Sequence, residues 1–266
     1  MNDEAELLVE RRGDLAILTL NRPQRMNALS TTLLVSLAQV LDELAAEGRV
    51  RCAILRGAGE KAFSAGMDLS ALPEGIPDDI QKQISSKGPL QFGLDTVEDV
   101  PFPVIAMIRG YCVGGGCEAS MACDLRVGAE GARMGMPPAR LGIVYPPEGL
   151  HRFLRNLGYP TTKKVFFTAR LFEAPEAFAM GMLDYLVPEA ELEEFTIRLA
   201  REIAANAPLS LAGHKRILRI MTQMTPLTAS QEDEVDHLTA RALASKDAAE
   251  GISAFREKRD PVFRGE

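Results

Sequence analysis

Two short stretches carry residue types and spacings suited to chemistry: "AFSAGMDLS" (62–70) and "GYCVGGGCE" (110–118). Each follows a strand-like run and places glycine where a helix would begin. Backbone N–H groups at a helix start have no intrahelical partner and sit at the positive end of the helix dipole. Two such bends facing each other would offer two donors to one oxygen, which stabilises an oxyanion by about 3 kcal/mol per donor. Bends of this kind also bind phosphate or simply permit close packing. The second stretch is not G-x-G-x-x-G, and no Lys-Ser/Thr pair follows, which weakens a nucleotide reading. Gly114, Gly115 and Gly116 give up side-chain packing and backbone entropy, so bare backbone is wanted there. Glu118 follows among Cys117, Ala119, Met121 and Ala122. These small or apolar neighbours predict burial, and a buried carboxylate without a task is costly.

The elements that must position these bends read as α/β. Residues 7–12 and 15–21 are short β-rich runs around Gly13-Asp14, a hairpin signal. Ser30 can cap a helix over "TTLLVSLAQVLDELAAEG", with Gly48 as its stop. "RCAILRG" and "LRVGAE" are strands, and "PVIAMI", apolar throughout, is a buried one. Residues 70–100 carry Pro73, Gly75, Pro77 and Gly88-Pro89 and read as a mobile loop and weak helix outside the core. The triple glycine opens the helix "CEASMACD". From about 147 onward helices dominate, with "DYLV" as one late strand. Strand–helix alternation followed by helix implies an α/β core with a helical C-terminal part.

Composition narrows the class. The 266 residues are 46% hydrophobic, enough to bury a sizeable core, and 25% are charged. The net charge of −7 argues against nucleic acid as the main partner. Cys52, Cys112, Cys117 and Cys123 form no CxxC pair and lie in or beside apolar runs, as reduced buried thiols do. His151, His214 and His237 are distant from them in sequence, so no metal site is expected. The acidic start "MNDEAELLVE" is unlike a signal or transit peptide, and no apolar run is long enough to span a membrane, so a cytoplasmic protein is expected.

Four blocks in order, "LNRPQRMNALS" (20–30), "KAFSAGMDL" (61–69), "PVIAMIRGYCVGGGCEASMACDLRVGAEGARMGMP" (103–137) and "EGISAFREKRDPVF" (250–263), resemble the enoyl-CoA hydratase/isomerase, or crotonase, superfamily. The resemblance implies a spiral of ββα turns over 1–195 and a helical region over 196–266 that trimerises, often into a hexamer. It implies an acyl-CoA thioester as ligand, with no cofactor beyond the coenzyme A of the substrate. By similarity, the amides of Met67 and Gly115 would hold the thioester oxygen as it becomes an enolate, and Gly114 and Gly116 would permit the tight turn. Ala65, Met67, Asp68, Leu69 and Ser70 would line the CoA path. Lys258, with Phe255 one turn earlier, falls where the family places a lysine near the CoA phosphates. Arg25 and Arg22 are candidate phosphate contacts or solvated turn residues. Glu118, three residues past Gly115, would then aim its carboxylate at the carbon beside the thioester.

The sequence departs from the two-glutamate hydratases of that family at the second acid/base. "GMPPARLG" puts Pro138 at the matching position, and proline transfers no proton. The next turn, "IVYPPEGL", supplies Tyr145 and Glu148 as replacements. Glu148 beside Pro146-Pro147 also reads as helix-start chemistry, and Tyr145 as a packing residue. Three functions follow: hydration or isomerisation of an enoyl-CoA by Glu118; hydrolysis or C–C cleavage using Glu148 or Tyr145; and acyl-CoA binding without catalysis.

Overall fold

A computed structural model describes residues 5–68, 78–223 and 225–265. The chain divides into two compact units, one of residues 1–134 and 172–222, the other of 135–171 and 223–266.

The first unit is built on a six-stranded sheet. Its strands are β1 (Leu7–Arg12), β2 (Leu15–Leu20), β3 (Cys52–Gly57), β5 (Val104–Ile108), β7 (Leu125–Ala129) and β10 (Tyr185–Val187), in that spatial order. The β1–β2 hairpin is antiparallel, pairing Leu7 with Leu20, and every later pairing is parallel. Alternate residues of the strands, Leu15, Ile17, Cys52, Ile54, Ile105, Met107 and Val127, pack with helix α7 (Leu192–Ala204) through Leu192, Leu199 and Ala200. The intervening residues Ala16, Leu18, Ala53, Leu55, Val104, Ala106 and Ile108 are buried too. Both faces are therefore covered, which is why these strands are apolar throughout rather than alternating.

Helix α1 (Thr31–Glu47) starts where expected: Ser30 Oγ accepts from Leu33 N at 3.0 Å, and Gly48 ends it at φ 66°. Helices α2 (Asp78–Lys87) and α3 (Pro89–Asp99) follow. Here the structure corrects the sequence reading, since α3 is core. Leu94 and Val97 are fully buried, and Gly93 lies so close to α1 that a methyl group there would sit 3.0 Å from Leu34 Cδ2. A second, smaller sheet runs β4 (Ala62–Ser64), β6 (Tyr111–Val113), β8 (Arg133–Gly135) and β9 (Phe172–Glu173). Helix α4 (Gly115–Ala122) leaves β6 after a single residue, and α6 (Ala174–Ala179) and α8 (Pro208–Met221) complete the unit.

The second unit holds a 3-10 turn over Pro138–Leu141, helix α5 (Pro147–Thr168), α9 (Ala229–Leu243) and α10 (Lys246–Glu257). Gly158, at φ 70°, kinks α5. Phe153 meets Phe166 edge-on at 5.1 Å. Helix α10 crosses the 3-10 turn at Gly251, where a methyl group would lie 2.7 Å from the Leu141 carbonyl carbon. No helix of the described residues is long and apolar enough to cross a membrane.

Candidate active site

The bend after β4, with Gly66 at φ 101°, and the approach to it are fixed by hydrogen bonds from polar side chains and main chain. Asn27 is fully buried with φ 54°, a left-handed conformation that asparagine tolerates better than most residues. Its Nδ2 donates to Ala58 O at 2.9 Å and Ala62 O at 2.7 Å, and its Oδ1 accepts from Arg22 N at 3.1 Å. Farther along, Leu29 N donates to Gly66 O and Asp68 N donates to Leu29 O. The groups flanking Met67 N are thus spent on Leu29. Arg22 reaches across with Nη2 at 2.7 Å from Asp68 Oδ2, Nη1 at 2.7 Å from Ala28 O and Nε at 2.8 Å from Glu6. Its guanidinium is bonded to all three of these partners. Leu69 and Ser70 lie outside the described residues.

The bend after β6 is made of bare backbone. Gly114 adopts φ 57°, ψ −128°, a conformation that suits glycine, and caps α4 without any side-chain hydrogen bond. The two bends touch main chain to main chain. A methyl on Gly66 would lie 3.2 Å from Gly115 N, and one on Gly115 would lie 3.3 Å from Met67 N. Among the described residues, neither Met67 N nor Gly115 N donates to a backbone carbonyl in these turns. Gly116 is glycine for another reason than the turn. A methyl there would fall 2.5 Å from Ser64 O and 2.6 Å from Ser64 Cβ, so the start of α4 can rest on β4 only without it.

Glu118 is fully buried on α4, and Gln91 Nε2, from the first turn of α3, donates to its Oε1 at 3.1 Å. Sequence reasoning missed Gln91. The usable signal was Gly88-Pro89 as a helix start, followed by Leu90, Leu94 and Val97 at helical spacing. Leu90 Cδ2 lies 3.4 Å from where a methyl on Gly115 would be, so one helical turn attends both the amide and the carboxylate. All four cysteines are free and buried. Burial pushes the Cys52 thiol up to about 12 and raises those of Cys112 and Cys123 as well, which keeps them protonated and unreactive.

Of the remaining sequence candidates, Ala65 and Arg25 are exposed beside the first bend, Arg25 ending a 3-10 turn over Pro23–Arg25. Pro138, Tyr145, Glu148, Phe255 and Lys258 belong to the second unit. Pro138 is buried at the head of its 3-10 turn. The Tyr145 ring packs on Phe166 at 5.5 Å. Glu148 is exposed in the first turn of α5. Phe255 is exposed, and Lys258 ends α10 in a left-handed conformation at φ 56°.

Two amides side by side and one dry carboxylate a helical turn away are suited to polarising a carbonyl and moving a proton at its neighbouring carbon. The fold is the α/β fold of the crotonase class of enzymes. The enoyl-CoA hydratase/isomerase family pattern matches residues 10–266, and the chain belongs to that family. Methylmalonyl-CoA decarboxylase of Escherichia coli (strain K12) is 34% identical over 251 residues, 94% of each chain. The solved structure of methylmalonyl-CoA decarboxylase in complex with 2-nitronate-propionyl-CoA is 33% identical and superposes with a TM-score of 0.88, covering 98% of this chain and 99% of that one. Enoyl-CoA hydratase from Bacillus anthracis, also 33% identical and covering 98% and 100%, superposes at 0.74.

Proposed function

We propose that this chain is an acyl-CoA enzyme that removes a carboxyl group from the carbon beside the thioester of a small 2-carboxyacyl-CoA. The Met67 and Gly115 amides hold the thioester oxygen. The electrons of the breaking C–C bond form the enolate, carbon dioxide leaves, and Glu118, entering as the neutral acid with a proton taken from solvent, delivers that proton to the carbon. The observation that carries this reading is the pair of superpositions: at equal identity, the chain trace follows the decarboxylase more closely than the hydratase. Pro138 in place of a second carboxylate agrees with it, because loss of carbon dioxide needs one proton delivered, whereas hydration needs a proton and a hydroxyl. No cofactor is required beyond the coenzyme A of the substrate. Exposed apolar side chains on the late helices, Leu209, Met221 and Leu243 among them, support a homotrimer or a hexamer of two trimers.

The test is carbon dioxide release from methylmalonyl-CoA beside loss of the enoyl absorbance of crotonyl-CoA. Wild type should release carbon dioxide and leave crotonyl-CoA largely untouched, and Glu118→Gln should slow enzymatic protonation of the enolate, read as formation of propionyl-CoA, by roughly 10²–10³-fold. Rapid consumption of crotonyl-CoA with no release from methylmalonyl-CoA would sink the decarboxylase reading. The second reading, hydration or isomerisation, would then stand. It is favoured by the full burial of Glu118 one turn from the Gly115 amide, the placement a proton relay at the thioester's neighbouring carbon requires.

A further inference from the structure

Gln91 stands apart from its helix. Leu90, Leu94 and Val97 make an apolar stripe, yet beside them a primary amide is 6% exposed. Burying such a group costs free energy unless it is hydrogen-bonded, and here it donates to Glu118, 27 positions along the chain. Packing alone would be served better by leucine or methionine.

The helix that presents this amide is fixed along its length. At its middle, Gly93 is pressed against Leu34 of α1, where a methyl group would lie 3.0 Å from Leu34 Cδ2 and 3.2 Å from Leu34 O. At its end, Lys215 of α8 donates from Nζ to Val97 O and Phe102 O, each at 3.1 Å, and to Asp124 Oδ2 at 2.7 Å. Arg219, one turn farther along α8, pairs with Glu98 at 3.7 Å and with Asp99. Such a helix holds its first turn to a narrow range of positions, and with it the direction of the Gln91 amide.

We propose that Gln91 is the positioning residue for Glu118. Its side-chain amide, carried by the anchored helix α3, holds one carboxylate oxygen so that the other is aimed at the carbon beside the thioester. A neutral donor suits a group that must both take up and release a proton, because a cation at that place would bias the carboxylate towards staying ionised. Errors of about 1 Å in such an alignment cost on the order of 10²-fold in rate. This inference rests on the reading of Glu118 as the proton carrier.

Gln91→Met keeps the length and volume of the side chain and removes the donor. Two rates are read: turnover of the thioester that wild type consumes, and deuterium exchange from solvent into the carbon beside the thioester of propionyl-CoA. In Gln91→Met both should fall about 10–100-fold, while the dissociation constant for propionyl-CoA, by calorimetry, stays within about twofold. In a Glu118→Gln background the same substitution should have little further effect, because the two residues act as one unit. Should Gln91→Met be recovered unfolded, Gln91→Asn, which keeps a polar amide but draws the donor back by one methylene, replaces it with the same expected loss. Wild-type exchange and turnover in the variant, a loss confined to binding, or an equal loss on both backgrounds would overturn the proposal. A wild-type protein that neither exchanges nor turns over any thioester would instead overturn the reading of Glu118 itself.

Discussion

The bend after β4 is held by hydrogen bonds, from main chain and polar side chains alike, around a bare Gly66 at φ 101°, whereas the bend after β6 is held by the absence of side chains. Around the first, Asn27 ties Ala58 and Ala62, and Arg22 ties Asp68, Glu6 and Ala28. Around the second, Gly114 supplies the backbone angle and Gly116 the clearance over Ser64. Each bend brings one main-chain amide to the same place by different physics. A polar network loses free energy in steps as bonds are removed. A steric fit fails at once when an atom is added, since close-packed main chain has nowhere to move.

That difference sets the order of expected effects. The largest belongs to Gly116→Ala, whose methyl carbon would lie 2.5 Å from a main-chain oxygen. It should cost about 3 kcal/mol or more of stability in denaturant unfolding. Adding Ser64→Gly should not restore it, because the nearest obstacle is the Ser64 carbonyl rather than its side chain. Full rescue by Ser64→Gly would show that the second bend, too, is governed by a side chain. Next comes Asn27→Ala, which leaves two carbonyls without their donor and puts alanine at φ 54°. About 2–3 kcal/mol should be lost, with the fold retained. A loss equal to that of Gly116→Ala would erase the contrast.

The smallest effect belongs to the surface of the second unit. Arg259 hydrogen-bonds Glu250, and with the Val262 N–H it holds the Glu250 carboxyl down at about 2, against an ordinary 4.5. A lowered carboxylate adds stability that is present in full above pH 4.5 and is gone once the pH has fallen through about 2. Arg259→Gln should move the Glu250 midpoint, followed by NMR, up towards 4.5 while barely changing the melting temperature at neutral pH, because the pair is exposed to solvent. An unmoved midpoint would remove Arg259 as the cause.

The contrast also explains which parts of the site were legible beforehand. Gly114 announces itself, because a glycine after a strand and before a helix is a local signal. Gly116 was read as part of the same turn, yet its reason is Ser64, 52 positions earlier. Arg22 was read as a candidate phosphate contact or a solvated turn residue, and its pairing with Asp68, 46 positions along the chain, was not visible. The segment through α3 looked irregular because its prolines and glycines punctuate the chain, although Leu94 and Val97 at helical spacing were visible in it.

What the sequence by itself determined is whatever depends on neighbours a few residues apart. The Ser30 cap, the Gly48 stop, the hairpin at Gly13-Asp14, the apolar parallel strands and the glycine-led start of α4 are set by backbone sterics and local hydrogen bonds. Only the tertiary structure decided that the Met67 and Gly115 amides come close together, that Gln91 meets Glu118, and that Lys215 anchors the helix that carries Gln91. Those contacts join distant segments, and they form because burying both faces of one sheet leaves the covering helices and bends few places to go.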